Sequence, residues 1–261
     1  MDDAVDHGPA IRHREHVMGT VVTIDIYTEN GRYGSEVTLA LARARARLQR
    51  ADAVFSTWKA DSPVSRLRRG EITLADAPPE VADVLDLCAF AGEISGGWFD
   101  PWAMPGGVDP TGYVKGWAAQ GALAALAIDE ISGAMVNAAG DIASFGGSEP
   151  GAPFRIGIVD PRLPGQLACV VGLTGAIATS GGYERGAHLI DPHSGRPTTR
   201  AASASVCGPD LGLADALATA LAVAGHPVLD VIGSLDDYEA LIIGVDGRRR
   251  WTDGFPFLSP D

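Results

Sequence analysis

A chain of 261 residues, 46% of them hydrophobic and 20% charged, can bury a sizeable core and is too apolar to be disordered. Its formal net charge of −13 disfavours a nucleic-acid role, which needs a basic face, and leaves phosphate ligands open where a metal supplies local positive charge. Cys88, Cys169 and Cys207 are scattered, odd in number and without C-x-x-C spacing, so they read as small buried hydrophobes rather than a zinc site or a disulfide framework.

The first 15 residues are polar and predict a flexible lead, with one domain over residues 16–261. They hold no apolar signal segment and no cysteine for lipidation, and no run in the chain nears the ~18 apolar residues of a membrane helix, so the expected location is cytoplasmic. From Val17 the pattern turns to strand, with Val22, Ile24 and Ile26 alternating with polar neighbours. Met18-Gly19-Thr20 opens it, where the glycine permits either a strand-entry bulge or close approach of a flat or anionic group. Ser35 is placed to cap a helix along which Val37, Leu41, Ala44, Leu48, Ala51 and Phe55 recur. Arg43, Arg45, Arg47 and Arg50 on its other faces read as solvated surface. In the F-S-T-W that comes next, Trp58 offers a ring to a ligand, and residues 62–67 form a small cap and turn.

Pro78-Pro79 starts a second helix, with Val81, Val84, Leu85, Cys88 and Ala91 on one face. Trp98, Phe99 and Asp109 then fall in a rigid loop rich in Pro and Gly, ahead of a helix expected over residues 114–127. Gly112 and Gly116 bracket Lys115. A lysine at a helix start opposes the macrodipole unless an anion sits there, so Lys115 is expected to face phosphate. Residues 134–145 read as a strand broken at Gly140-Asp141, and further strands are expected over 154–159, 167–173, 176–179 and 202–206. Residues 176–197 gather Ser180, two glycines, His188 and Asp191, a set suited to proton handling and to metal or phosphate contact. The helix over 211–224 is apolar almost all round, so it should be buried. Its polar pair, Asp215 and Thr219, shares one face a turn apart. That pair satisfies itself within the core or holds a hard divalent cation. Residues 238–252 close the chain as a hairpin around Asp246-Gly247. Strands and helices do not alternate regularly, which predicts an α+β fold of mixed sheets packed with helices.

In this order the motifs resemble those of the ApbE-type FAD:protein FMN transferases. They are M-G-T at 18–20, F-S-T-W at 55–58 with S-P-V-S-R-L at 62–67, F-D-P at 99–101, and D-P-T-G-Y-V-K-G at 109–116. N-A-A-G-D at 137–141, A-T-S-G at 178–181, H-L-I-D-P-H-S-G-R-P at 188–197 and A-D-A-L-A-T at 214–219 complete the set. The resemblance implies an ApbE-like, T-fold-related architecture. It implies transfer of FMN from FAD to a Thr or Ser hydroxyl of a target flavoprotein, with release of AMP. It implies Mg²⁺ held by Asp215, Thr219 and the Gly112 carbonyl, with Lys115 as a second positive charge. Met18, Trp58, Trp98, Phe99, Asp109 and Ser180 would line the FAD site; His188 would border it and serve as the base, with Asp191 as second choice. Here Ala187 stands where the family usually has a second histidine, Ala139 replaces a glycine, Trp58 replaces a Tyr, and the loop before Asp109 is short. Two other readings remain: an FAD pyrophosphatase yielding FMN and AMP, and a non-catalytic FAD-binding protein.

Overall fold

The structure is a computed structural model describing residues 9–29, 31–149, 151–163, 165–182, 189–198 and 200–258. Its centre is an eight-stranded sheet in which every adjacent pair is antiparallel. The strands are β1 (Ile11–Val17), β2 (Thr20–Tyr27), β3 (Gly133–Ala138), β4 (Asp141–Phe145), β5 (Phe154–Val159), β6 (Leu167–Leu173) and β7 (Gly175–Ser180). Then come β8 (Ile190–Asp191), β9 (Arg196–Pro197), β10 (Ala201–Gly208), β11 (Glu239–Gly244) and β12 (Arg249–Trp251). The large sheet runs β1-β2-β3-β4-β7-β10-β11-β12, while among the described residues β5 and β6 form one two-stranded ribbon and β8 and β9 another.

Period-two alternation sorts the sheet's side chains onto two cores. Val136, Ala143, Ala178, Ala204, Val206 and Ala240 face the helices in one core. Ile142, Ile177, Cys207, Leu241 and Ile243 face the β5–β6 ribbon in the other, with Phe154, Ile158, Val171 and Leu173. The helix-side residues are mostly alanine and valine, which lets the buried helix sit low on the sheet.

The helices are α1 (Ser35–Phe55), α2 (Pro63–Arg68), α3 (Pro79–Ile94), α4 (Thr111–Ala124), α5 (Leu211–Ala224) and α6 (His226–Ile232). In α5 every residue but Thr219 is buried, as its all-round apolar pattern requires. Gly34, not Ser35, is the N-cap of α1, and no side chain caps that helix. At α2 the Ser62 hydroxyl accepts from the Ser65 N–H at 3.0 Å. α4 starts at Thr111, three residues ahead of expectation. β1 begins at Ile11, so the expected lead does not extend to residue 15. Its alternation is hidden in the sequence because the inward positions carry polar residues: Glu15 meets His13, Arg45 and Gln49 at 2.8 Å each. Arg50 pairs with Glu80, so two of the α1 arginines are tied to neighbouring elements rather than simply solvated. Among the described residues no helix is long and apolar enough to cross a membrane.

Two glycine contacts fix how α4 sits against α5. A Cβ on Gly116 of α4 would lie 2.3 Å from the Leu211 carbonyl oxygen, and one on Gly212 of α5 would lie 2.6 Å from the Tyr113 ring. Glycine at both positions lets α4 and α5 meet closely, backbone on backbone at Gly116 and backbone on the Tyr113 ring at Gly212. That contact brings the residues after Pro110 beside the polar pair of α5.

Candidate functional site

A cleft of about 800 Å³ opens at one end of the large sheet. The registers Val17↔Thr20, Ala138↔Asp141 and Ala204↔Ser180 put the β1–β2 turn, the β3–β4 turn and the end of β7 at this same end. Met18 and Gly19 have φ of 54° and 70°, and Ala139 and Gly140 have φ of 55° and 97°. Both are two-residue hairpin turns with two left-handed residues, so Gly19 serves a turn rather than a bulge. The Asn137 side chain fixes the second turn by accepting the Gly140 N–H at 2.8 Å.

Met18, Trp58, Trp98, Phe99 and Asp109 all line the cleft, and so do Gly112, Lys115, Ser180, Asp215 and Thr219. Residues from five distant segments therefore meet at this cleft. Phe99 is buried at 5% exposure, whereas Trp58 is 94% exposed and presents its ring at the rim. The Trp98 ring meets the edge of the His193 ring at 4.4 Å, and the Arg200 guanidinium lies 5.7 Å from its centre. His188 lies outside the described residues, though its neighbours Leu189 and Ile190 line the cleft.

At the floor, the Ser180 and Thr219 hydroxyls lie 3.1 Å apart, and the Gly112 Cβ position would lie 3.8 Å from Thr219 Oγ1. Asp215 is 3% exposed. Lys115 Nζ lies 4.0 Å from its Oδ1 and forms a close ion pair with Asp141 Oδ2. The expected anion for Lys115 is thus first a carboxylate of the protein. Asp141 is fully buried, and its Oδ1 accepts the Thr179 N–H at 3.0 Å. Sequence reasoning does not single Asp141 out for the site. The available signal is its place directly after a left-handed turn in N-A-A-G-D, which ends at the strand edge nearest the cleft.

Asp191 does not line the cleft; it closes the β8–β9 turn, accepting the His193 N–H at 2.9 Å and the Ser194 N–H at 3.3 Å. Burial works to raise its pKa, but those backbone N–H groups and Arg200 at 3.6 Å prevail and hold the carboxyl below its ordinary range. That makes it a turn-closing group, set apart from the cleft.

The donor set of Asp215, Thr219 and the Gly112 carbonyl fits a hard cation, since all three offer oxygen. It holds one carboxylate, and no group of three or more His, Cys, Asp or Glu side chains that could hold a metal occurs among the described residues. Such a set leaves most of a coordination sphere to water or substrate oxygens, as Mg²⁺ prefers.

An antiparallel sheet backed by helices, with a largely apolar cleft at its end and a few oxygen groups converging at its floor, defines a ligand pocket on an α+β scaffold. The ApbE family model matches residues 18–107 and 105–242, so the chain belongs to the ApbE family. It is 38% identical over 163 residues to the FAD:protein FMN transferase of Rhodobacter capsulatus. That match takes in 59% of the chain and 30% of the relative's length. The fold is that of the flavin transferase ApbE of Vibrio cholerae, with a TM-score of 0.81, 22% identity, and 95% of this chain and 99% of that one covered. It is equally close to the ApbE protein of Thermotoga maritima, with a TM-score of 0.80, 22% identity, and 94% and 97% of the two chains covered.

Proposed function

We propose that this chain is an Mg²⁺-dependent flavin transferase. It moves FMN from FAD to a Thr or Ser hydroxyl of a target flavoprotein and releases AMP. The hydroxyl oxygen attacks the FMN-side phosphorus, the bond to the bridging oxygen breaks, and AMP leaves with that oxygen. The observation that carries this reading is the meeting of Lys115, Asp215 and Thr219 beside Gly112 at the floor of one cleft.

Phosphoryl transfer asks for positioning and charge neutralisation more than for covalent catalysis. A bound Mg²⁺, which Asp215, Thr219 and the Gly112 carbonyl would hold, supplies neutralisation at a diphosphate. Lys115, oriented by Asp141, adds a fixed positive charge from the first turns of α4. Ser180 bonds the Thr219 hydroxyl and steadies it. Met18, Trp98 and Phe99 give apolar walls to the flavin, and Trp58 stacks from the rim. His188 takes the proton from the incoming hydroxyl, a role an imidazole can fill as general base.

Incubation with FAD, Mg²⁺ and a Thr-bearing target, followed by mass spectrometry of the target, tests the reading. A covalent FMN adduct together with AMP is the expected result. Rapid FMN and AMP release with no target present would favour the hydrolase instead, and intact bound FAD would favour a binder. Asp215→Ala should abolish metal-dependent AMP release; full turnover at saturating Mg²⁺ would remove Asp215 from the metal set. His188→Ala should slow transfer while leaving FAD affinity nearly intact.

A further inference from the structure

The short loop between Phe99 and Asp109 forms part of the cleft wall, and one side chain outside the cleft organises it. Arg68, the last residue of α2, reaches across to this loop. Its Nη2 donates to the Pro105 carbonyl at 2.9 Å, its Nε to the Gly106 carbonyl at 3.3 Å, and its Nη1 to Asp109 Oδ2 at 3.0 Å. The backbone is shaped to receive it. Gly106 has φ of 84°, and a Cβ there would lie 2.9 Å from Arg68 Nη2. The other carboxylate oxygen of Asp109 accepts from the Thr111 N–H at 3.1 Å and the Thr111 hydroxyl at 2.6 Å. Thr111 is the first residue of α4, one before Gly112. The Arg68 and Asp109 side chains are 16% and 17% exposed, so the pair is held rather than splayed into solvent.

We propose that Arg68 is a positioning residue for the dinucleotide site. Its planar fork holds two carbonyls of the loop and the Asp109 carboxylate in one geometry, and Asp109 passes that geometry to the start of α4. Three donors in a fixed plane are what a guanidinium offers and an ammonium does not. Because Arg68 itself does not line the cleft, its effect is on the shape that receives the ligand, not on the reacting atoms.

The inference rests on the FAD-binding reading, and the experiment separates the two. Arg68→Lys and Arg68→Gln are compared with the unaltered chain for FAD affinity by flavin fluorescence, for AMP release, and for amide hydrogen exchange over residues 101–111. Expected is an FAD affinity at least about tenfold weaker for both variants, with KM raised in proportion. The turnover number at saturating FAD should stay within about threefold, and exchange should be faster over 101–111 while protection in α5 stays unchanged. Arg68→Lys should recover only part of the loss. If the unaltered chain binds no FAD, the functional reading falls, and the exchange data still decide whether Arg68 holds the loop. Unchanged exchange over 101–111, or FAD affinity within twofold of the unaltered chain in a folded variant, overturns the proposal. If both variants unfold, Arg68 is a fold residue and the proposal is likewise overturned.

Discussion

Asp141 shows how a single residue can matter to the site without touching its opening. It is fully buried, and it divides its carboxylate between the Thr179 N–H and the Lys115 ammonium. Asp141→Asn keeps the shape and one hydrogen bond but removes the charge that faces Lys115. The ammonium is then left facing Asp215, 4.0 Å away. Losing a charge-assisted contact at a buried site costs about 1–3 kcal/mol. A urea denaturation midpoint should register that loss. AMP release should fall more than about tenfold, because Lys115 is drawn onto the carboxylate that the reaction needs. Lower stability with unchanged turnover would restrict Asp141 to a fold role. In the sequence, Asp215, Thr219 and Lys115 stand out because each is a polar group in a place that opposes it: an apolar helix for the first two, a helix start for the third. Asp141 does not stand out, because an aspartate after a glycine turn is ordinary. Only the pairing across sheet and helix gives it meaning, and that pairing is non-local. Ala139 in place of a glycine suggests a mild loss of flexibility; its φ of 55° shows that an alanine does occupy a left-handed turn position here.

Helix α4 meets α5 through glycine, and that contact decides where the site's two halves lie. Gly116→Ala would set a methyl group 2.3 Å from the Leu211 carbonyl oxygen, a separation that backbone must relieve by moving. Overpacking of this kind costs about 1–3 kcal/mol. The movement also draws Gly112 and Lys115 away from Asp215 and Thr219. The thermal midpoint should drop by several degrees, and FAD turnover should fall further than that loss of stability explains. Equal turnover would mean that the helices can separate without disturbing the floor of the cleft. At the far edge of the sheet, β1 is pinned to α1 through Glu15. Hydrogen bonds from His13, Gln49 and Arg45 hold its carboxyl at about 2, well below its ordinary 4.5. A depressed carboxyl pKa stabilises the fold above the unfolded value and loses that contribution as pH falls toward the folded one. The stability difference between the unaltered chain and Glu15→Gln should therefore be full above about pH 5 and shrink between pH 4.5 and 2. Denaturant midpoints measured across that range check it; a difference that does not change with pH would rule out the charge as its source. Helices α1, α3 and α5 are legible because their apolar positions recur at helical spacing over three turns or more. Helix α6 is not, since Pro227 looks like a breaker and in fact sits in the first turn, where its missing N–H is harmless.

At the scale of the whole molecule, the proposed function asks an acidic chain to take up a dianionic diphosphate. The formal net charge is −13. Among the described residues the cleft does not reverse that sign: Asp52, Asp100, Asp109 and Asp215 line it against Lys59 and Lys115. Lys59 is bound to Asp52 at 2.5 Å, and Lys115 to Asp141, so neither ammonium projects an unbalanced field. On this balance the long-range field is expected to oppose the approach of FAD, with attraction from Lys115 and a bound divalent cation at contact distance. Screening removes the long-range part first, because the Debye length shrinks to about 8 Å at physiological ionic strength and about 3 Å at 1 M. The association rate of FAD, followed by stopped-flow quenching of flavin fluorescence at fixed Mg²⁺, should rise as a monovalent salt is added. A site built on a basic patch would respond in the opposite direction. A rate that falls with salt would show that the local field of the cleft is positive, and that the carboxylates at its lining are neutralised by something other than Lys59 and Lys115.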